Sequence, residues 1–272
     1  MTEILFELKD VRYSYLGKFP ALCGIDLTVR RGEKIAIIGA NGTGKSTLLH
    51  LLDGLIFPYQ GDLKVFGVPL TEAIINDAQL AHDFRRKVGL VFQNADIQLF
   101  CSTVREDIAF GPLQLGISDD EVKKRLQAIA RFLGIEHLLD RAPHQLSVGE
   151  KRKAAIATVF AIDPDVFILD EPTAGLDPLT VRHIIDLILQ ANKQGKTIIT
   201  STHDLHTVGE IADTVYVFDQ EKKIARSGKA GDILSDRAFL EAHNLVHIHG
   251  HCHEGQLHIH PHLPLQGHDH SH

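Results

Sequence analysis

The chain has 272 residues, of which 44% are hydrophobic, and its 28 basic and 35 acidic residues leave a formal net charge of −7. This length suffices for a large buried core, and the acidic balance argues against a nucleic-acid partner. Cys23, Cys101 and Cys252 show no paired spacing, which favours a reducing cytosol. No apolar run approaches the ~18 residues of a membrane span, and the first residues do not resemble a signal peptide. We therefore expect a cytosolic chain without membrane spans of its own.

The N-terminal region carries a strand pattern. Residues 3–38 alternate polar and apolar side chains in short runs and then become continuously apolar. The alternation predicts an antiparallel β layer, and the run at 34–38 predicts a buried strand behind it. Tyr13 and Tyr15 are two residues apart in this layer and should share one face.

A glycine-rich loop follows the buried strand. Residues 39–46, G-A-N-G-T-G-K-S, match the phosphate-binding pattern G-x-x-x-x-G-K-[ST], and residues 46–52 predict a helix after it. A glycine-rich turn with a chance lysine is the alternative, but it does not require a strand before the loop and a helix after it. In a phosphate-binding loop the backbone N–H groups surround the phosphates, Lys45 reaches the β- and γ-phosphates, and the Ser46 hydroxyl ligates Mg²⁺.

A second apolar strand, residues 166–170, ends in the adjacent carboxylates Asp170 and Glu171. One carboxylate at this position can hold Mg²⁺ and the other can polarise an attacking water. Between the two strands, residues 94–163 are predicted to be largely helical, with a capping box at 118–121 opening a helix that runs to Gly134. Residues 165–228 alternate strand and helix patterns and predict a parallel sheet. A last capped helix is expected at 235–244.

Three further motifs accompany these two: L-S-V-G-E at 146–150, A-G-L-D at 174–177 and T-H-D at 202–204. In this order the five motifs resemble the ATPase subunit of an ABC transporter, over roughly residues 3–240. The resemblance implies an α/β fold, a P-loop NTPase core with an antiparallel β layer and a helical subdomain at about 94–163. We accordingly divide the chain into an ATPase domain at 1–240 and a His-rich C-terminal extension at 241–272.

The resemblance also assigns roles to individual residues. It implies that Glu171 is the general base, that His203 contacts the γ-phosphate, and that Gln93 touches Mg²⁺ and the attacking water. It implies Mg²⁺ ligation by Ser46, Gln93 and Asp170, and adenine stacking on Tyr15. The remaining residues expected to contact ATP are Gly39, Asn41, Gly42, Gly44, Lys45 and Thr47, with Ser147, Gly149, Glu150 and Asp177 meeting the nucleotide of a second chain.

One residue departs from the pattern, because the family usually has glycine where this chain has Val148. Glycine permits positive φ, which a β-branched residue resists. Either this position has ordinary backbone angles, or the site shared between two chains is altered.

The stretches G-L-V-F-Q-N-A-D-I-Q-L-F at 89–100 and E-K-R-K-A-A-I-A at 150–157 resemble the energy-coupling-factor ATPases, in particular the cobalt and nickel branch. This resemblance implies an ATP-hydrolysing homodimer that powers import of nickel or cobalt through separate membrane subunits. Those subunits would dock on the helical subdomain at the cytoplasmic face of the membrane. Vitamin uptake is the alternative within this class. A soluble ABC ATPase acting on ribosomes or DNA is the other, but its usual fused second domain or coiled-coil insertion is not apparent.

The C-terminal extension is rich in histidine, with eleven of the eighteen histidines from His243 onward. A purification tag and a disordered metal buffer are the simpler explanations. However, residues 246–253 and 256–262 alternate with period two around Glu254 and Gly255, which predicts a hairpin in which paired residue numbers sum to 509. One face would then carry imidazoles that suit nickel, cobalt or zinc: His247, His249, His251, His258, His260 and His262.

Overall fold

A computed structural model of the protein describes residues 2–246 and, for the backbone, two strands at 248–253 and 256–261. The strands are β1 Ile4–Tyr15, β2 Phe19–Arg30, β3 Lys34–Ile38, β4 Gln60–Val65, β5 Val68–Pro69, β6 Val88–Val91, β7 Val166–Asp170, β8 Thr197–Ser201, β9 Thr214–Phe218, β10 Ile224–Lys229, β11 Ile248–His253 and β12 Gln256–Pro261. The helices are α1 Lys45–Leu52, α2 Glu72–Asn76, α3 Ala78–Lys87, α4 Val104–Gln114, α5 Asp119–Leu133, α6 Val148–Ile162, α7 Pro178–Lys193, α8 Leu205–Ile211, α9 Ala230–Ser235 and α10 Arg237–Ala242.

The central sheet has six strands in the order β10-β9-β3-β8-β7-β6. All neighbouring pairs are parallel except β10 and β9, which form an antiparallel edge. Because the carboxyl ends of parallel strands meet at one edge, the residues that follow β3, β6, β7 and β8 come together there. These residues include the glycine-rich loop, Gln93, Glu171 and His203.

A second sheet, in the order β2-β1-β4-β5, is antiparallel throughout. Helix α1 is buried between the two sheets, since Leu48, Leu49, Leu51 and Leu52 are all fully buried and belong to one apolar cluster with both sheets. This packing explains the leucine-rich sequence of α1, and it fixes the helix that follows the glycine-rich loop. The antiparallel layer and the buried strand at 34–38 are both as predicted.

Residues 94–163 contain α4, α5 and α6, which pack together around a second apolar cluster. The predicted helix after Ser118 is present, and it ends before Gly134, whose φ is +66°. The predicted capping box at 118–121 is wrong. The Ser118 side chain accepts no capping hydrogen bond, and the Glu121 carboxylate instead accepts one from Arg125 Nε at 2.9 Å, one helical turn later.

The capped helix predicted at 235–244 is present as α10, but its cap is Asp236 and not Ser235. Helix α9 ends at Ser235, whose hydroxyl donates to the Asp232 carbonyl at 3.1 Å. Asp236 then caps α10, because its carboxylate accepts from the Phe239 amide at 3.1 Å. After α10 the chain stays on the body as far as Val246, which is 9% exposed in a cluster with Ile233 and Leu240.

Strands β11 and β12 pair with each other in an antiparallel two-stranded sheet. His249 pairs with His260 and His251 with His258, so the numbers of paired residues sum to 509, the register expected from the sequence. The proposed pair of His247 and His262 lies outside the described residues, as does the turn at 254–255.

Candidate functional site

The loop between β3 and α1 is held tightly against the antiparallel sheet. Gly44, at the N-terminus of α1, has φ +106°, and a Cβ added there would lie 2.3 Å from the Ala21 carbonyl oxygen. Only glycine therefore fits at this position. This close contact fixes the position of the backbone amides in the first turn of α1, at the end of β3.

Lys45, the first residue of α1, turns its ammonium group into the loop. Its Nζ donates to the carbonyl oxygens of Gly39 at 2.7 Å and Ala40 at 3.1 Å. The residue is 7% exposed. Burial lowers the pKa of Lys45, and the carboxylates of Asp170 and Glu171 oppose that shift because they favour the charged form. The loop thus contains a buried cation that faces two carboxylates.

The two carboxylates at the end of β7 have different surroundings. Asp170 accepts a short hydrogen bond from the Ser201 hydroxyl on β8. Glu171 has φ +47°, which is unusual for a residue with a side chain, and its backbone amide donates to the Ser201 carbonyl at 3.0 Å. Glu171 Oε1 lies 2.9 Å from His203 Nδ1, so two of the predicted catalytic residues are in contact.

The second carboxylate oxygen of Glu171, Oε2, is buried and has no hydrogen-bond partner within the described part of the chain. A buried carboxylate oxygen requires a donor, and here the donor would come from the cavity that Glu171 lines. This is the arrangement expected for an acceptor that takes a proton from water.

This cavity has a volume of about 460 Å³. Ten of the predicted site residues line it: Tyr15, Asn41, Gly42, Gly44, Lys45, Ser46, Thr47, Gln93, Asp170 and Glu171. The hydroxyl groups of Tyr15 and Thr47 are 3.1 Å apart. The Tyr13 and Tyr15 rings pack edge to face with centroids 5.0 Å apart, which agrees with the shared face that the sequence predicted. The cavity lining thus combines the glycine-rich loop, a cation, two carboxylates and an aromatic ring.

The motif at 146–150 lies outside this cavity, at the start of α6. Ser147 is the N-cap: its hydroxyl accepts from the Glu150 amide at 3.3 Å, while the Glu150 carboxylate accepts from the Ser147 amide at 2.8 Å. These hydrogen bonds lower the pKa of Glu150. Val148 is the first helical residue, with ordinary helical backbone and a side chain that is 74% exposed. The position therefore does not need the positive φ that glycine would allow.

Comparison with known proteins agrees with this geometry. Residues 22–174 match the family described as ABC transporter. The chain belongs to this family. It is 48% identical to the nickel import ATP-binding protein NikO of Rhodobacter capsulatus over 89% of this chain and 95% of that protein. It is 42% identical to the energy-coupling factor transporter ATP-binding protein EcfA of Methanothermobacter thermautotrophicus, over 89% and 76% of the two chains.

Solved structures of related proteins extend the comparison. The cbiO1 protein of Clostridium perfringens, part of the ABC transporter complex cbiONQ, superposes with a TM-score of 0.73 at 36% identity, covering 89% of this chain and 95% of that one. The dimeric ATP-binding cassette MJ0796, bound to ADP and Pi, gives a TM-score of 0.76 at 27% identity, covering 83% and 99%. The chain is therefore an ABC ATPase with a P-loop α/β fold.

Within this ABC ATPase, four of the predicted nucleotide contacts lie apart from the cavity. Ser147, Gly149 and Glu150 are on the first turn of α6, and Asp177 caps α7 by accepting from the Thr180 amide at 3.0 Å. Hydrogen bonds from the Thr180 side chain and from the Thr180 amide lower the pKa of Asp177. Gly149 and the residue before Asp177 are close, because a Cβ at Gly149 would lie 3.6 Å from Leu176. These four residues thus form one exposed region of the ABC ATPase.

Sequence reasoning missed four residues that line the cavity: Phe19, Pro20, Ala21 and Lys222. Phe19 pairs with Tyr15 across the turn between β1 and β2, so a register for that hairpin would have placed it there. Lys222 lies between β9 and β10, and its ammonium group donates to the Pro20 carbonyl. No local pattern marks Lys222, because it reaches the cavity only when the two sheets pack together, and its partner Pro20 is 202 residues away in the sequence.

The described helices, all within residues 2–246, include none that is both long enough and apolar enough to cross a membrane.

Proposed function

We propose that this ABC ATPase powers the import of a divalent transition metal, nickel or cobalt, through separate membrane subunits. The cavity lined by Lys45 and Glu171, with His203 bonded to Glu171 beside it, carries the ATPase half of the proposal. Its similarity to the nickel import protein NikO, at 48% identity, supports the cargo. The structural neighbour cbiO1 is part of the ABC transporter complex cbiONQ, which supports assembly with separate transporter subunits.

Within the cavity, Lys45 and the loop amides would hold the β- and γ-phosphates. Ser46, Gln93 and Asp170 would hold Mg²⁺, which neutralises charge on the phosphates when it is bound. Glu171 would take a proton from the attacking water through its unpartnered Oε2, while His203 fixes the carboxylate through Oε1 and faces the γ-phosphate. Tyr15 would stack on adenine.

The exposed region of Ser147, Gly149, Glu150 and Asp177 supports a head-to-tail homodimer. Serine hydroxyl and helix N-terminal amides are good partners for phosphate oxygens, but they do not face the cavity of their own chain. A second copy would bring this region to the nucleotide of the first. Two ATP molecules would then lie between the chains, and hydrolysis would separate them.

The helical subdomain is the surface we propose for the membrane subunits. Phe100 and Phe110 are 66% and 42% exposed and pack edge to face with ring centroids 5.0 Å apart. A groove of about 410 Å³ between α4 and α5 is lined by the apolar side chains of Ala109, Leu113, Val122 and Leu126 and by the polar ones of Arg105, Asp119, Lys123 and Gln127. An amphipathic helix of a membrane partner would fit this surface, and it would hold the ATPase at the cytoplasmic face of the membrane.

For the His-rich extension we propose binding of nickel, cobalt or zinc. The backbone pairing sets His249 opposite His260 and His251 opposite His258, and residues paired across antiparallel strands have Cβ atoms roughly 4.5–5.5 Å apart. Two such pairs offer enough imidazole nitrogens for a transition metal. Binding should require a pH near or above the imidazole pKa of about 6.5, since protonated imidazole is not a ligand.

The transport proposal is tested in cells that lack the chromosomal copy. Wild-type chain and Glu171→Gln are expressed, and cellular nickel, cobalt and zinc are measured by mass spectrometry. Wild type should restore nickel or cobalt accumulation and Glu171→Gln should not. Energy-coupling-factor relatives keep vitamin uptake as the second candidate. Vitamin-dependent growth that is restored with no change in metal content would favour it and refute metal import.

The extension is tested by removing residues 247–272, because Val246 packs on the body and should be retained. The truncated chain should keep its basal ATPase rate, since every cavity residue lies upstream. Its nickel and cobalt binding at neutral pH, measured by calorimetry, should fall. Equal metal binding by both chains would refute the role of the extension and leave the ATPase proposal untouched.

A further inference from the structure

Phe92, the residue immediately before Gln93, is held from both sides by side chains of the helical subdomain. Its carbonyl oxygen accepts from Arg152 Nη1 at 2.9 Å, and its amide donates to Gln98 Oε1 at 3.1 Å. The Gln98 amide nitrogen then donates to the Ala155 carbonyl and the Thr158 hydroxyl, both at 2.8 Å. Both backbone polar groups of Phe92 are therefore tied to α6, one directly and one through Gln98.

Helix α6 is also the helix that begins with the exposed Ser147 and the half-buried Gly149. Arg152 lies little more than one turn along the same helix. A single rigid element thus connects the segment that positions Gln93, in the chain's own cavity, with the surface proposed to meet the nucleotide of a second chain. If Gln93 were displaced along the sheet edge, Phe92 and the start of α6 would move with it.

The environment of Arg152 indicates that the connection is specific. The residue is only 7% exposed. Burial lowers the pKa of Arg152, while the nearby carboxylates of Asp170 and Glu171 favour its charged form. Burying a guanidinium is unfavourable unless it is paired and hydrogen-bonded, and an apolar side chain would fill the same space more easily. The planar guanidinium also fixes the direction of its hydrogen bond to Phe92 better than a flexible ammonium would.

We propose that Arg152, together with Gln98, couples the two ATP sites of the dimer as a positioning residue. ATP that engages Gln93 in one cavity shifts Phe92, Arg152 carries the shift to α6, and the start of α6 becomes aligned for the partner's nucleotide. Occupancy of one site thereby prepares the other. The inference rests on the proposed head-to-tail dimer and adds to it a residue that transmits between sites.

The test uses full-length protein in the Glu171→Gln background, where bound ATP persists. Arg152→Met, Arg152→Lys and Gln98→Ala are compared with their parent, and Arg131→Met, which removes an exposed guanidinium from α5, is the matched control. Two quantities are measured. One is affinity for a fluorescent ATP analogue at protein concentrations where the chains are monomeric, and the other is the ATP concentration for half-maximal dimer formation by sedimentation.

Arg152→Met should keep the monomer's nucleotide affinity within about twofold and raise the ATP concentration for dimer formation roughly tenfold or more, within the 5–150-fold range usual for coupled sites. Gln98→Ala should act in the same direction. Arg152→Lys should recover part of the loss, because lysine can still donate to the Phe92 carbonyl. With Glu171 intact, the Hill coefficient of ATP hydrolysis should fall towards 1 in Arg152→Met, while Arg131→Met matches its parent in every measurement.

Dimer formation by Arg152→Met at the parent's ATP concentration would overturn the inference. A folded Arg152→Met monomer that has lost nucleotide affinity would also overturn it, since Arg152 would then serve only its own cavity. If Arg152→Met does not fold, Gln98→Ala decides by the same criteria. A parent that stays monomeric at saturating ATP would refute the proposed dimer and this coupling together, whereas a dimeric parent with unaffected variants refutes the coupling alone.

Discussion

The nucleotide cavity and the start of α6 are both proposed to contact ATP, but the first is built from buried residues and the second lies at the surface. The cavity is lined by residues at the ends of β3, β6 and β7 and by the β1–β2 hairpin, and three of its charged residues, Lys45, Asp170 and Glu171, are 7%, 2% and 5% exposed. The start of α6 is a partly exposed helical turn in which Ser147 and Glu150 hydrogen-bond to each other. The comparison teaches that the core of one chain is enough to position the residues of the cavity. The start of α6, in contrast, can act as a binding site only when another surface packs on it. Variants in the two regions should therefore fail differently.

The largest expected effect is that of Lys45→Ala. Removing the buried ammonium leaves the phosphate charge without its counter-charge, which should weaken ATP binding by roughly 3–5 kcal/mol, or about 10²–10⁴-fold, and abolish turnover. Calorimetry with ATP and a phosphate-release assay measure both quantities. Lys193→Ala, at an exposed position that ends α7, serves as the control. Normal ATPase activity in Lys45→Ala would refute the assignment of the cavity.

Glu171→Gln should separate binding from chemistry in the same cavity. It retains the size of the side chain and removes the base, so hydrolysis should fall by about 10²–10⁴-fold while ATP affinity is retained. Single-turnover hydrolysis and sedimentation with ATP and Mg²⁺ should show a stable dimer with uncleaved nucleotide. The surface variant Glu136→Gln should behave like wild type. Hydrolysis by Glu171→Gln at the wild-type rate would show that another group is the base.

Ser147→Ala tests the exposed region with a smaller effect. Loss of the N-cap should reduce the free energy of unfolding by about 1 kcal/mol, without changing the monomer's affinity for ATP. Turnover, which we propose to need the dimer, should still fall. Val148→Gly is the matched control: the position is helical and its side chain is exposed, so stability should change by only a few tenths of a kcal/mol. A Ser147→Ala chain with full turnover would remove this region from the proposed site.

Asp53, at the C-terminal end of α1, should affect stability and leave turnover unchanged. It bonds to Arg85 Nη1 at 3.0 Å, but burial raises the pKa of Asp53 to about 7 against this opposing charge. The folded chain therefore holds the proton more tightly than the unfolded chain, whose aspartate pKa is about 3.9. The resulting stabilisation is present below about pH 4 and is lost as the pH rises to about 7.

Urea unfolding across this pH range measures the effect. As the pH rises, the free energy of unfolding of the wild type should fall by up to about 1.4 kcal/mol per pH unit more than that of Asp53→Asn, because asparagine has no proton to release. If the free energies of unfolding of the two chains change in parallel with pH, Asp53 is ionised in the folded chain over the whole range.

Much of the cavity could be predicted from the sequence because its residues belong to short motifs at fixed spacings after apolar strands. Tyr15, Lys45, Gln93 and Glu171 were found in this way. Lys222 was not, because only the packing of the two sheets on each other brings the turn after β9 beside β2, where the Cys23 amide donates to the Lys222 carbonyl. The same limit explains the error at Ser118 and the one-residue shift of the cap from Ser235 to Asp236. A local pattern identifies a residue able to cap a helix, but the surrounding structure decides which residue does so. Glu121 accepts from Arg125, and Ser235 ends the preceding helix.

The backbone at Glu171 has a further consequence, for selection. Its φ of +47° lies where residues with a side chain are strained, typically by about 1–3 kcal/mol, and where glycine and asparagine are comfortable. The residue that best relieves this strain is therefore not one that can accept a proton from water. Thermostability screening that left this codon free would enrich Glu171→Gly or Glu171→Asn and so recover sturdier proteins without hydrolysis. The backbone angle at residue 171 therefore makes stability and turnover favour different residues. Any stabilised variant that is to hydrolyse ATP has to keep glutamate at this position.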